Sequence, residues 1–355
     1  MNPKLIIDLK KLRHNAEFLV DLCRKNNITL TTVTKVFCAD EKMVAELLLA
    51  GVDYLADSRL ENIANYPKCS PCERILLRLP SPQIATQVVL GSDFSLVSEM
   101  LTLQALAEQA AYHQKQHGVI LMIDLGDLRE GVYHADMERI YEICDFLFAQ
   151  SHLYFKGIGA NLTCYGSVIP NEQNMMKLCE IAENIEKKYE IEDIMVSGGN
   201  SSSLNMLADG RMPAKINNLR LGESIVCGLE TAYGKPFGGL VQDVVILEAT
   251  VIEIAKKPSM PEGETNINAF GETVKYIDSG EHLRAILAVG RQDTNYEGLT
   301  PRDEDVFIIG ASSDHLIADI TNAKQLQVGD TLTFSLSYGA ILAGFTSKYV
   351  DREYI

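Results

Sequence analysis

The chain has 355 residues, 46% of them hydrophobic, and a formal net charge of −16. That length suits one large domain plus a smaller one, and the apolar share is enough for a full core. The acidic balance speaks against a nucleic-acid or membrane-surface partner, which would need a basic patch, and no segment approaches the roughly 20 apolar residues that cross a bilayer. The opening MNPKLIIDLKKLRHN has no apolar stretch behind a basic start, so no signal peptide is expected. The eight scattered cysteines then read as reduced thiols of a cytoplasmic protein.

In chain order, a first strand at residues 5–9 precedes a helix at 11–25, where Leu12, Ala16, Leu19, Val20 and Cys23 repeat with helical spacing. Short β-rich runs follow at 29–34, 54–56, 75–79, 94–97, 119–123, 155–158, 194–196 and 219–221. Amphipathic stretches of helix length lie between most of them, as at 41–50, 103–113 and 140–150. Eight strands alternating with helices predict an α/β chain built on a (β/α)8 TIM-like barrel. Cys69 and Cys72 form a CxxC in a polar, proline-containing connection. No second pair follows at zinc spacing, so a surface loop is expected and no metal site. From about Val241 strands dominate, at 244–254, 284–289, 306–309, 316–320 and 331–336, separated by turn residues such as Ser279-Gly280 and Gly329-Asp330. Residues 11–235 are therefore expected to form the barrel. Residues 1–10 and 236–355 are expected to form a second, all-β domain, with the first strand placed to pair there.

Barrel enzymes carry their active sites at the C-terminal ends of the strands, and the unusual residues gather there. Lys35 follows the first barrel run, where partial desolvation lowers a lysine pKa and frees its amine for imine chemistry. The run from Ser197 through Gly198, Gly199, Asn200, Ser201 and Ser202 to Ser203 follows the seventh strand. Glycines there let backbone approach an anion that serine hydroxyls and N–H groups bind; the plainer reading is a glycine turn with a serine cap. Arg220, Gly222 and Glu223 end the eighth strand, and Arg129 lies in the loop after the fifth. Taken singly, each of these is a turn with a structural ion pair. A lysine, a phosphate cup and two arginines around one mouth together suggest a phosphorylated aldehyde cofactor held on the lysine. A lysine-imine aldolase fits the same residues.

The order of these motifs resembles the alanine racemase family of pyridoxal-phosphate enzymes, and within it the ornithine racemase branch. The resemblance rests on Ile7-Asp8-Leu9 followed by Leu12-Arg13-His14-Asn15, on the lysine after the first barrel strand, and on the C-terminal β domain. The stretches at 124–131, 161–166, 197–203 and 310–315 match the ornithine branch. It implies that Lys35 carries the cofactor, pyridoxal 5'-phosphate, and acts as one acid/base. Ser201, with the backbone of Gly222 and Glu223, would bind the phosphate. Arg220 would face the pyridine nitrogen, and Arg129 would hold the substrate carboxylate or the phenolic oxygen. Asn161 stands where alanine racemases usually carry a histidine. Asn200, Ser202 and Tyr349 are grouped with the cofactor contacts. Ser313 and Asp314 match a Met-Asp pair that reaches the site from the partner subunit, so the β domain would complete the partner's site in a homodimer.

Two departures follow. Val36-Phe37-Cys38-Ala39 follows Lys35 where a tyrosine is usual, and Phe270-Gly271 stands where a tyrosine would serve the opposite face of the substrate. Phenylalanine transfers no proton. Tyr165, Tyr338, Asp314 and His315 are the alternatives for that face. The expected activity is interconversion of the L and D forms of an amino acid, ornithine first. The alternatives are an alanine or broad lysine/arginine racemase, a basic amino-acid decarboxylase and a non-catalytic carrier of the cofactor.

Overall fold

The computed structural model describes residues 2–68, 70–273 and 275–355. The chain divides into two compact units. One is Leu9–Gln242; the other is the segment ending at Asp8 together with Asp243–Ile355.

In the larger unit eight parallel strands close on themselves. They are Thr29–Val33, Tyr54–Asp57, Glu73–Leu76, Phe94–Val97, His117–Asp124, Leu153–Gly159, Met195–Ser197 and Asn218–Leu221. The eighth pairs with the first, Asn218 opposite Thr29 and Leu221 opposite Thr32. The fourth pairs with the fifth, Phe94 opposite Gly118. The fifth strand is buried at every one of its eight positions, so its centre, residues 119–123, reads as a continuous apolar run rather than an alternation. Side chains of Ala56, Ile75, Phe94, Leu96, Ile120, Met122 and Met195 fill one part of the interior. Helices cover the outside. Helix Leu9–Lys25 buries Leu12, Ala16, Leu19, Val20 and Cys23, and Glu172–Tyr189 begins with a capping box between Asn171 and Asn174. Gly157 in the sixth strand is obligatory: its φ is +153°, and a Cβ there would meet the Met195 carbonyl oxygen at 1.9 Å.

The smaller unit is built on the long strand Val245–Pro258. It pairs antiparallel with Lys4–Ile7, Glu281–Leu287 and Thr331–Leu336, and Lys4–Ile7 also pairs in parallel with Asp351–Tyr354. Leu316–Asp319 and Phe307–Ala311 extend the sheet on one side, Leu299–Pro301 on the other. The first strand thus pairs within the β unit. The unit also holds a helix, Tyr338–Thr346, capped by the Ser337 hydroxyl, which strand periodicity does not announce.

No helix among the described residues is long and apolar enough to cross a membrane. Among the same residues no group of three or more His, Cys, Asp or Glu side chains is placed to hold a metal ion. Cys69, half of the CxxC, lies outside the described residues. Cys72 is buried and donates its thiol to the Val52 carbonyl at 3.2 Å, and burial pushes that thiol up.

Candidate active site

Thr34, the residue after the first barrel strand, is fully buried. Its hydroxyl donates to Asp57 Oδ2 at 2.7 Å and lies 2.7 Å from the Tyr66 hydroxyl, while its N–H donates to the Ala56 carbonyl at 2.9 Å. Asp57, at the end of the second strand, also accepts from Arg59 N and Asn62 Nδ2, each at 3.0 Å; its burial pushes the carboxyl up against those hydrogen bonds. This anchored end delivers Lys35 into a short 3-10 turn, Lys35–Phe37, which buries Val36 and Phe37 and leaves the lysine side chain exposed. Cys38 and Ala39 then take left-handed backbone conformations, at φ 52° and 51°. For non-glycine residues these cost roughly 1 kcal/mol each. Asp40 restores regular structure by capping Glu41–Leu49.

The loop after the seventh strand folds on itself. Asn200 Oδ1 accepts from Ser202 N at 2.9 Å and its Nδ2 donates to the Leu162 carbonyl at 2.9 Å; Ser203 Oγ donates to the Gly198 carbonyl at 2.8 Å. Ser201 Oγ donates to Ser224 Oγ at 3.1 Å and accepts from Ser224 N at 3.2 Å. Ser202 differs: it is 3% exposed and its hydroxyl has no hydrogen-bond partner. A buried hydroxyl left so costs about 1–3 kcal/mol. Gly222 lies so close to the first strand that a Cβ there would meet the Val33 carbonyl oxygen at 2.7 Å. An oxyanion in this cup would satisfy Ser202, so the residues fit a phosphate group. Beside the cup, burial pushes the Glu223 carboxyl up and the nearby Lys35 ammonium opposes that shift.

A polar chain crosses the rim from the fifth strand to the eighth. Arg129 is paired with Glu130 through two nitrogens, one of them Nη2 at 2.6 Å. Asn161, after the sixth strand, donates Nδ2 to Glu130 Oε1 and accepts at Oδ1 from Arg220 Nη2 at 2.6 Å. Arg220 also donates to the Ala160 carbonyl at 2.6 Å and to Ser197 Oγ. Ser197 in turn donates to Asn218 at 2.6 Å, and Asn218 to Thr31 Oγ1 at 2.9 Å. Burial lowers the Arg220 guanidinium to about 10, so it remains cationic at neutral pH. Burial works against the charge on Arg129 most strongly, but the bond to Glu130 and the pull of Cys164, Glu130 and Asp127 together outweigh it, and the guanidinium lies above its usual value.

Asp127, 1% exposed, holds the neighbouring loop. Its Oδ2 accepts from Cys164 N at 3.2 Å and Tyr165 N at 2.9 Å, and its Oδ1 from Val168 N at 3.2 Å. Burial alone would raise this carboxyl, but the backbone donors outweigh it and hold it below the usual range. The loop places Cys164 within electrostatic reach of both Arg129 and Lys35.

Of the residues singled out from the sequence, Lys35, Arg129, Asn161, Asn200, Ser201, Ser202, Gly222 and Glu223 follow the C-terminal ends of barrel strands in the larger unit, and Arg220 lies within the eighth strand, one residue before its end. Tyr165 is in the same unit and 73% exposed. Asp314, His315, Tyr338, Tyr349 and Phe270 belong to the other unit. There Asp314 accepts from Gln292 in an exposed turn, His315 N donates to Ser312 Oγ at 3.1 Å, and Tyr338 opens the helix Tyr338–Thr346. The Phe270 ring lies 4.1 Å from the Arg291 guanidinium, which Glu272 holds by bonds of 2.7 and 2.8 Å. Sequence reading passed over Glu130, Asp57 and Ser224. Glu130 stood inside a quoted motif, but its partner Asn161 is 31 residues away, and no local signal links them.

A family profile described as "Alanine racemase, N-terminal domain" matches residues 7–229. The chain is 45% identical to an ornithine racemase of Acetoanaerobium sticklandii over 99% of each chain. It is 35% identical to a lysine racemase of Thermotoga maritima over 99% of this chain and 98% of the relative. In fold it is similar to the alanine racemase of Streptomyces coelicolor, with TM-score 0.76 and 16% identity over 100% of this chain and 98% of the other. It is also similar to the alanine racemase of Bartonella henselae solved with covalently bound pyridoxal phosphate, with TM-score 0.74 and 16% identity over the whole of both chains. At those identities the structural likeness shows the fold alone.

Proposed function

The chain belongs to the alanine racemase family, and from that premise we propose that it is a pyridoxal-phosphate-dependent isomerase that interconverts L- and D-ornithine. The observation that carries the proposal is an exposed rim lysine, Lys35, together with a cup whose buried Ser202 hydroxyl has no hydrogen-bond partner in the protein.

Bound there, the cofactor supplies an electron sink that lets an amino acid release its α-proton. The protein's part is to hold the groups and move the proton. Ser201 and Ser202, with Asn200 shaping the loop and the backbone of Gly222 and Glu223 nearby, hold the phosphate. Lys35 is the attachment point, and its amine takes the α-proton from one face and returns it. Arg220, a fixed donor that stays charged, would face the ring nitrogen of the bound cofactor. A guanidinium gives up no proton at neutral pH, so there it would keep the sink weak and restrain side reactions. Arg129 takes the substrate carboxylate in a two-pronged grip. Inversion needs a second proton carrier on the opposite face, drawn from Tyr165, Tyr338, Asp314 and His315; Phe270 cannot serve. In this reading two chains form a cytoplasmic homodimer, and the smaller unit, with Tyr349, completes the partner's site.

The test is to incubate the protein with pyridoxal phosphate and L-ornithine and follow optical rotation and carbon dioxide together. The account expects rotation to fall to zero from either enantiomer with no gas released, and lysine to turn over better than alanine. Gas release would make the enzyme a decarboxylase. Alanine outpacing ornithine would overturn the substrate assignment.

A further inference from the structure

Two cationic guanidinium groups stand on one rim, and a single carboxylate lies between them. Arg220 is 4% exposed, and the acceptors it touches, Ser197 Oγ, the Ala160 carbonyl and Asn161 Oδ1, are all neutral. The nearest acid in its chain of contacts is Glu130, reached through the Asn161 amide. Glu130 is itself mostly covered, with 16% of its side chain exposed against 41% for Arg129.

We propose that Glu130 is the positioning residue of this rim, fixing the Arg129 guanidinium directly and setting the direction of the Asn161 amide that orients Arg220. Donor and acceptor capacities leave this rim one arrangement. An ionised carboxylate only accepts and a guanidinium only donates. An asparagine between the two therefore has one satisfactory orientation, with its NH2 toward Glu130 and its oxygen toward Arg220, which is the one observed. Glu130 thus fixes which end of Asn161 meets the buried arginine. The same carboxylate takes two nitrogens of Arg129, the forked geometry that removes most of the freedom of that long side chain.

The backbone holds Glu130 in place for this. The next residue, Gly131, has φ +125°, and a Cβ there would lie 2.5 Å from Asp124 N, so the chain doubles back against the end of the fifth strand. Asp124 Oδ1 accepts from Gly126 N at 2.8 Å and Leu128 N at 3.1 Å, closing the other side of the turn. Only the Glu130 side of the contact is mostly covered, so the pair acts chiefly by fixing geometry, through its two-nitrogen fork, rather than by the strength of a buried charge.

The inference rests on the racemase reading for its kinetic consequence, since Arg129 is there assigned the substrate carboxylate. Its structural consequence does not. The experiment therefore uses the full chain with Glu130→Gln, which keeps size and removes charge, and Glu130→Asp, which keeps charge. A crystal structure of Glu130→Gln without cofactor should show the Arg129 guanidinium displaced; an unmoved Arg129 overturns the proposal whatever the enzyme does. With pyridoxal phosphate bound, Glu130→Gln should keep its visible absorption band and raise KM for ornithine about tenfold, close to 1.4 kcal/mol, with kcat changed less than threefold. Glu130→Asp should recover part of that loss. A Glu130→Gln enzyme with native KM overturns the positioning role. A native protein with neither band nor turnover sinks the racemase reading instead.

Discussion

Ser202 differs from its two serine neighbours in one respect. The hydroxyls of Ser201 and Ser203 are bonded within the protein, whereas that of Ser202 is buried with nothing to bond. The serine run itself is legible in the sequence, but the hydroxyl left over is not, because that depends on Ser224 and Gly198 as partners. The two states of the protein should respond to Ser202→Ala in opposite directions. Without cofactor, removing an unsatisfied buried hydroxyl should leave the melting temperature unchanged or raise it, by up to roughly 1 kcal/mol of stability. With pyridoxal phosphate the same change should weaken binding about tenfold, the loss of one hydrogen bond to an anion. Thermal melts and an absorbance titration on one preparation measure both. A variant less stable without cofactor and equally tight with it would mean that the hydroxyl serves the fold and not a phosphate.

Strand and loop behave differently as objects of sequence reading. The eight barrel strands were legible because each is a short apolar run bounded by turns and spaced by helices; the fully buried His117–Asp124 is the clearest. Their exact ends were less so: the first stops at Val33 rather than at 34, because Thr34 turns away to bond Asp57 from the second strand. Helix Tyr338–Thr346 was missed because its apolar residues carry no polar face with a helical period, and its main signal is the Ser337 cap. Loop-to-loop contacts lie further out of reach. Asp127 clamps residues 164–168 across a gap of 37 to 41 positions. Its carboxyl lies below the usual aspartate range in the folded state. The clamp therefore stabilises fully above the unfolded value of about 3.9 and is lost as pH falls through the lower folded value. Hydrogen exchange at the amides of Cys164, Tyr165 and Val168 should be protected at neutral pH and open in acid. Asp127→Ala should open them at neutral pH, with a local loss of about 2 kcal/mol. Equal protection in the variant would show that the loop is held by other means.

For the whole molecule, composition indicated a two-part chain with no expected affinity for nucleic acid, and pattern supplied a barrel followed by strands. Pattern also set Lys35, the serine run, Arg220 and Arg129 around one barrel mouth; what it could not supply is the bonding that ties the rim together, from Arg220 through Asn161 to Glu130. These positions are spread over 185 residues and meet only because the eighth strand pairs back onto the first. That closure sets the serine cup and Gly222 beside Val33, two residues before the lysine. The account stands or falls on Lys35 as the cofactor-bearing group of that rim. The most direct measurement is to reduce the pyridoxal-phosphate-loaded protein with borohydride, digest it and locate the pyridoxyl group by mass spectrometry. The account predicts one modified peptide, carrying the label on Lys35. A label on another lysine, or a protein that takes up none, would contradict it.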